Sequence, residues 1–307
     1  MSSRTALRIF VALSALYFTI VLALFFTQRA LLFPAPRGAS AAPPPGFGAA
    51  QLNTEDGLRL AAAYRPNSGN LATIVFFHGN GDSLAGADDA TRAIGAAGYG
   101  LLLVEYRGYA GNPGSPGEQG LYRDGRAALA WLMQRGVDFR CIVVVGNSLG
   151  SGVATEIAAG APVAGLVLVS GFTSMPDVVA PLYPWVPVRV LLRDRFDNRA
   201  KIRRVEAPIL LLHGTADHLI PARHSTTLAG VARNVRLGLV PEAGHALVYS
   251  ARSQTMILRW LAGVGRACRA GNQVSGEPPK AADSHSGVIA SPSASVRRNS
   301  IIRPKSG

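Results

Sequence analysis

Acidic side chains are scarce in this 307-residue chain: 18 Asp and Glu stand against 31 Lys and Arg, and none falls within the first 40 positions. Cysteine is scarcer, with only Cys141 and Cys268. One pair cannot build the multi-bridge framework of a small secreted module. Cys141 opens an apolar run and reads as a small buried hydrophobe, while a bridge to Cys268 requires an oxidising compartment. No Cys/His cluster has zinc-ligand spacing, and no nucleic-acid-binding signature accompanies the basic charge. The glycine-rich HGNGDS at 78–83 lacks the Lys-Ser/Thr of a phosphate-cradling loop. The sequence thus offers no metal or cofactor site, and nucleic acid is not an expected partner.

What charge there is gathers at the ends. Residues 1–40 hold four Arg, and 270–307 hold five basic and two acidic residues, leaving 22 basic and 16 acidic residues in 41–269. Basic flanks of this kind suit a membrane surface. Charge is absent altogether from Ile9 to Gln28, IFVALSALYFTIVLALFFTQ. As a helix that stretch spans about 30 Å, the thickness of a bilayer's hydrocarbon core. Arg4 and Arg8 precede it, Arg29 and Arg37 follow it, and the N-terminal amine tips the balance. A cleaved signal peptide would have a shorter apolar region, and Ala39-Ser40-Ala41 lies too far beyond the run. The expected order is a cytoplasmic 1–8, a single-pass signal-anchor helix at 9–28 in the lipid membrane, and a Pro-rich extended linker at 29–46. A domain follows at 47–265, extracytoplasmic (periplasmic in a bacterium), and then a disordered tail at 266–307.

Within 47–265, short β-branched or Leu-rich runs alternate with Ala-rich helical stretches. Strands are expected at 58–65, 72–79, 101–108, 141–147, 165–171, 208–214 and 235–240. Helices are expected near 84–97, 118–135, 149–159, 221–232 and 246–264. Several runs are almost wholly apolar, as in strands covered on both faces, so the fold class is α/β with a mostly parallel sheet flanked by helices. Reactive groups in such a sheet gather at the carboxyl ends of the strands.

Ser148 stands at one such end, in CIVVVGNSLGSG. A bare Gly-x-Ser-x-Gly arises by chance in roughly one of four chains of this composition, so context must separate a nucleophile elbow from an ordinary glycine-softened turn. Gly146 and Gly150 flank the serine where bulkier side chains would clash between strand and helix. A nucleophilic serine needs a base and an orienting acid. Asp217 follows PILLLHGTA and His245 follows VRLGLVPEAG, each just past a strand's carboxyl end. Ser148, Asp217 and His245 are the candidate catalytic triad. The N–H of Leu149 and that of Asn80, in the turn FFHGNGD, are the candidate oxyanion donors.

The segments HGNGD, YRGYAGNPGSPGEQGLYRD, GNSLGSG, HGTADHLIP and AGH, together with QRALLFPAP after the apolar run, resemble the membrane-anchored α/β-hydrolase-domain serine hydrolases. That group includes single-pass bacterial members and eukaryotic relatives that remove acyl chains from proteins or lipids. The resemblance covers about residues 9–265 and implies an α/β-hydrolase fold with this same triad and oxyanion turn. The chain departs from it at Ala246, where many members carry Asn, and at Glu105, where Asp commonly precedes Tyr-Arg-Gly.

GDSL at 81–84 imitates the nucleophile block of another esterase superfamily, but no Asp-x-x-His pair follows near the C-terminus, and Ser83 reads as a helix N-cap. His78 and His213 suit packing or turn roles, His218 an exposed loop, and His224 and His285 carry no signal. Residues 174–204 form a short lid, expected to leave the site open or to cover it with one helix. Tyr183, Trp185 and Val186 are candidates for an acyl pocket or for core packing. The lid's seven basic residues from Arg189 to Arg204 are either a solvated face or a contact for anionic headgroups. The reading is an anchored serine hydrolase of carboxylic esters or thioesters, with a small-molecule ester or acylated substrate. The rivals are a serine aminopeptidase-type hydrolase, a non-catalytic binding module on the same fold, and a passive membrane adaptor.

Overall fold

Each central strand is built from residues that all point into an apolar interior. The computed structural model describes residues 2–36, 41–264 and 268, and places eight strands in one sheet. They are β1 (Gly48–Asn53), β2 (Arg59–Arg65), β3 (Thr73–Phe77), β4 (Gly100–Val104), β5 (Ile142–Asn147), β6 (Gly165–Val169), β7 (Ile209–Gly214) and β8 (Val235–Val240). Their spatial order is β1-β2-β4-β3-β5-β6-β7-β8. Strand β2 runs antiparallel to both β1 and β4, and every other pairing is parallel. All residues of β3, β4, β5, β6 and β7 are buried, whereas the edge strands β1 and β8 are mostly exposed and mostly half-buried, respectively.

Side chains alternate across the sheet with period two and feed two cores. Val75, Phe77, Val144 and Leu168 face one layer, and Ile74, Phe76, Val143 and Val169 the other. The first layer is closed by helices α3 (Glu118–Met133) and α4 (Gly150–Gly160), which contribute Leu121, Tyr122, Val153 and Ile157. The second is closed by α2 (Leu84–Ala96) and α9 (Ala251–Val264) through Leu84, Ile94, Ile257 and Trp260. A further helix, α8 (Arg223–Ala229), packs against β7 and β8. Arg107, buried after β4, holds the fully buried Asp124 of α3 at 2.7 Å and Asp56 of the β1–β2 turn at 2.7 Å.

Helix α1 (Ser3–Leu32) is long and apolar enough to cross a membrane. It is longer than the 9–28 run at both ends: the Ser2 side chain accepts the Thr5 N–H at its start, and Pro34 and Pro36 follow its end. Residues 29–32, expected to begin an extended linker, continue the helix, and Phe33 is buried against Phe196. The lid is also more structured than expected. Three one-turn helices, α5 (Met175–Val179), α6 (Val188–Leu191) and α7 (Asn198–Lys201), replace an open loop or single helix. The prolines at 181, 184 and 187 interrupt any longer helix.

Cys141 is not a free buried hydrophobe but is bonded to Cys268 across a separation of 127 residues. Within the 266–307 tail only Cys268 is described, and it is helical and buried rather than disordered. His285 and the remainder of that tail lie outside the described residues, as do Arg37 and residues 38–40.

Candidate active site

Ser148 occupies the turn between β5 and α4 with φ +50°, a left-handed conformation that costs a non-glycine residue about 1–3 kcal/mol. The turn is pinned by the Ser148 N–H, which donates to the Val169 carbonyl at 3.0 Å. The glycines two positions to either side must lack side chains. A Cβ on Gly146 would lie 2.4 Å from the Gly150 carbonyl oxygen, and one on Gly150 would lie 2.0 Å from that of Phe77. This close approach presses the start of α4 onto the end of β3 and brings two chain segments to the serine. One is Leu149, the N-cap residue of α4, where N–H groups have no intrahelical acceptor. The other is the turn after β3, where a Cβ on Gly79 would stand 3.5 Å from the Ser148 Cβ.

His245 follows β8 and Asp217 follows β7, and the parallel sheet delivers both to the serine. His245 Nε2 lies 3.0 Å from Ser148 Oγ, and Nδ1 lies 2.8 Å from Asp217 Oδ2. An ionised carboxylate only accepts, so Nδ1 carries the proton and Nε2 is left to accept from the serine hydroxyl. Burial of Asp217 by itself would raise its pKa. Hydrogen bonds from His213, His245 and the Ile220 N–H outweigh burial and hold the carboxyl well below the ordinary range. Its other oxygen, Oδ1, accepts the N–H groups of Leu219 at 3.0 Å and Ile220 at 2.8 Å. Ser148 and Asp217 are buried, whereas the His245 side chain is 27% exposed.

Sequence comparison adds a family to this geometry. Residues 69–195 match the profile of the serine aminopeptidase S33 family, Hydrolase_4. The uncharacterized protein Rv2307c of Mycobacterium tuberculosis is 38% identical over 235 residues, covering 74% of this chain and 83% of that protein. The chain belongs to the α/β-hydrolase family. Human protein ABHD12B is 32% identical over 182 residues, covering 52% of this chain and 50% of its own. Among solved structures, the Pyrococcus furiosus esterase Pf2001 superposes with a TM-score of 0.59 at 20% identity, over 76% of this chain and 95% of that one. The likeness of fold agrees with the mostly parallel sheet flanked by helices.

Around this candidate site lie partners that residue types alone did not reveal. His213, fully buried, sends its Nε2–H towards both the Ile220 carbonyl at 2.7 Å and Asp217 Oδ2 at 3.3 Å. It therefore holds Asp217, the acid of the candidate triad, in addition to its packing role. Asn80 is held by its side chain: Nδ2 donates to the Leu32 carbonyl of α1 at 2.7 Å, and Oδ1 accepts from Tyr109 at 2.6 Å. The end of α1 is thus bonded to the turn beside the serine. Ser83 does sit at the N-cap of α2, but its hydroxyl makes no capping bond. His218 is exposed, and His224 is buried against Thr173. Among the described residues no group of three or more His, Cys, Asp or Glu could hold a metal ion.

His78 and Glu105 form a fully buried pair at the foot of the same turn. Both imidazole nitrogens face acceptors, Nδ1 the Gly79 carbonyl at 2.8 Å and Nε2 the Glu105 carboxylate at 3.0 Å. Burial lowers the His78 pKa, but the Glu105 hydrogen bond and charge prevail and raise it above the usual histidine value. A histidine with a raised pKa stabilises the fold fully below its unfolded pKa and loses that contribution as pH rises through the folded one. The melting temperature should therefore fall as pH rises above the ordinary histidine range, and Glu105→Gln should flatten that slope. Equal slopes in the two proteins, measured by calorimetry, would show that the pair does not titrate as described.

The lid is clamped to α1. Asp194 accepts from Arg29 Nε at 2.9 Å and from the Glu118 N–H at 2.8 Å, while Gln28 Oε1 accepts the Arg193 N–H at 2.8 Å. Above this clamp, α1 and the lid enclose an apolar groove of about 210 Å³. Tyr183 and Val186 line it; Trp185 does not, being half exposed and set against Tyr17.

Proposed function

We propose that the protein is a membrane-anchored serine hydrolase that cleaves carboxylic esters or thioesters through an acyl-enzyme. The observation that carries this reading is the continuous line from Asp217 through His245 to Ser148, at 2.8 and 3.0 Å, on a backbone bend that exposes the serine to the turn after β3. Ser148 Oγ attacks the acyl carbon while His245 Nε2 takes its proton. The N–H groups of Asn80 and Leu149 receive the charge that develops on the carbonyl oxygen. His245 then protonates the departing alcohol or thiol, leaving the acyl group on Ser148. Water, deprotonated by His245, attacks that acyl carbon, and the acid is released as Ser148 regains its proton. Asp217 stabilises the imidazolium in both halves.

The family description also raises an aminopeptidase, whose substrate bears an ammonium group. Such a site needs an acidic residue where the substrate's amino end rests, and the apolar groove between α1 and the lid is lined by no charged residue. Esters and thioesters fit better. Turnover of p-nitrophenyl esters against aminoacyl-p-nitroanilides tests this, and preference for the anilides overturns the ester assignment.

Helix α1 serves as the anchor, with residues 9–28 in the bilayer and the hydrolase domain on the oxidising side. The Cys141–Cys268 bond supports that side, because cytosolic thiols are kept reduced. In the native host a linked peptide pair containing Cys141 and Cys268 should be recovered after thiol blocking. Recovery of two free thiols contradicts the orientation.

A further inference from the structure

The groove has one wall from the bilayer-spanning helix and one from the lid. On α1, Val21, Leu24, Phe25, Gln28, Leu31 and Leu32 line it, a three-and-four spacing that keeps them on one face of the helix. The single amide among them, Gln28, is engaged by the Arg193 N–H, so no free polar group interrupts the wall. Opposite stand Val179, Leu182, Tyr183 and Val186 of the lid.

The two ends of the groove meet different surroundings. At the inner end, Leu32 accepts the Asn80 side chain at 2.7 Å, and Gly81 of the same turn would bring a Cβ within 3.8 Å of the Pro34 carbonyl. That turn abuts Ser148, so the inner end of the groove borders on the loop beside the nucleophile. At the outer end, Tyr17 donates to the Trp185 carbonyl at 3.1 Å, beside a helix face that is exposed and apolar. The lid tip at 181–187 reads Pro-Leu-Tyr-Pro-Trp-Val-Pro, without a charge, and Leu182 and Trp185 are 62% and 50% exposed. In water such a surface would be costly. Beside residues 17–25 of a membrane span it is matched to hydrocarbon. The basic groups stay nearer the domain, with Arg29 on Asp194 and Arg193 over the Phe25 ring at 4.2 Å. With α1 in a bilayer as proposed above, the lid tip would meet the leaflet and the groove would open towards acyl chains rather than water.

We propose that this groove is the acyl-chain site and that it is filled sideways from the leaflet, so that the substrate is a long-chain ester or thioester resident in the membrane. The proposal rests on the hydrolase reading above and adds the place and source of the acyl tail. From Val21 to Leu32 the helix rises about 16 Å, which accommodates roughly a dozen methylenes. The tail lies between α1 and the lid while its carbonyl reaches Ser148 and the turn at Asn80.

The test uses the full-length protein in mixed micelles with p-nitrophenyl butyrate and p-nitrophenyl palmitate. Leu24→Trp and Val186→Trp fill the groove from opposite walls. Each should lower the palmitate-to-butyrate ratio of kcat/KM by about tenfold or more, since a well-packed apolar site rejects excess volume. A ratio that does not change in either variant overturns the proposal. A second measurement needs no variant. A hexadecyl fluorophosphonate with a terminal diazirine is attached to wild type and irradiated. Crosslinks should map to 21–32 or 179–192, and crosslinks confined to other segments overturn the proposal even when Ser148 is labelled. A wild type that turns over neither ester and takes up no probe overturns the hydrolase reading itself, and the groove assignment falls with it.

Discussion

Ser148→Ala and His245→Ala are each expected to lower kcat by about 10⁵- to 10⁶-fold, and the double variant by no more than either alone. In the proposed triad the two side chains would act as one unit: at 3.0 Å, His245 Nε2 is the only ring position free to take the serine proton, because Nδ1 is committed to Asp217. Removing the base strands a hydroxyl of ordinary acidity, and removing the hydroxyl leaves the base with nothing to activate. What survives in each variant is the oxyanion turn and substrate binding, so KM should change by about threefold at most. Steady-state kinetics on p-nitrophenyl butyrate, with circular dichroism to check the fold, measures both quantities. Additive losses in the double variant would mean that serine and histidine work independently.

Asp217→Asn should lower kcat by about 10⁴-fold with little change in stability of the sheet. The effect follows from who donates to whom. Asp217 Oδ1 accepts two backbone N–H groups, from Leu219 and Ile220, and those bonds hold an asparagine oxygen in the same place. The amide NH₂ then faces His245, which must turn its unprotonated nitrogen towards it. The proton moves to Nε2 and points at Ser148, where an acceptor is required. The same NH₂ also meets the Nε2–H of His213, a donor against a donor. The kinetic loss should therefore exceed that of His213→Gln, which leaves the His245 tautomer intact. Equal losses would place the main role of Asp217 in packing rather than in orienting the base.

Much of the sheet was legible because β3 to β7 are buried on both faces, so nearly every residue is apolar and the run announces itself. Strand β1 escaped notice for the converse reason. Its GAAQLN buries only Ala50 and Leu52, and its strand character comes from pairing with β2, where Leu52 faces Leu60. Ser148, Asp217 and His245 could be grouped in advance because a parallel sheet brings every strand's carboxyl end to one side. The contribution of His213 could not, since its bond to Asp217 depends on how the loop 215–220 folds back. The lid's three short helices and the extension of α1 depend on tertiary partners, chiefly Asp194 and Arg29. Cys141 and Cys268, 127 residues apart, carry no local signal of their pairing.

Mass spectrometry of the chain after reaction with a fluorophosphonate tests the account most directly. Wild type should take up one phosphonyl group, found on the peptide containing Ser148, while Ser148→Ala takes up none and Ser83→Ala labels as wild type does. Label retained by Ser148→Ala, or lost in Ser83→Ala, would contradict it.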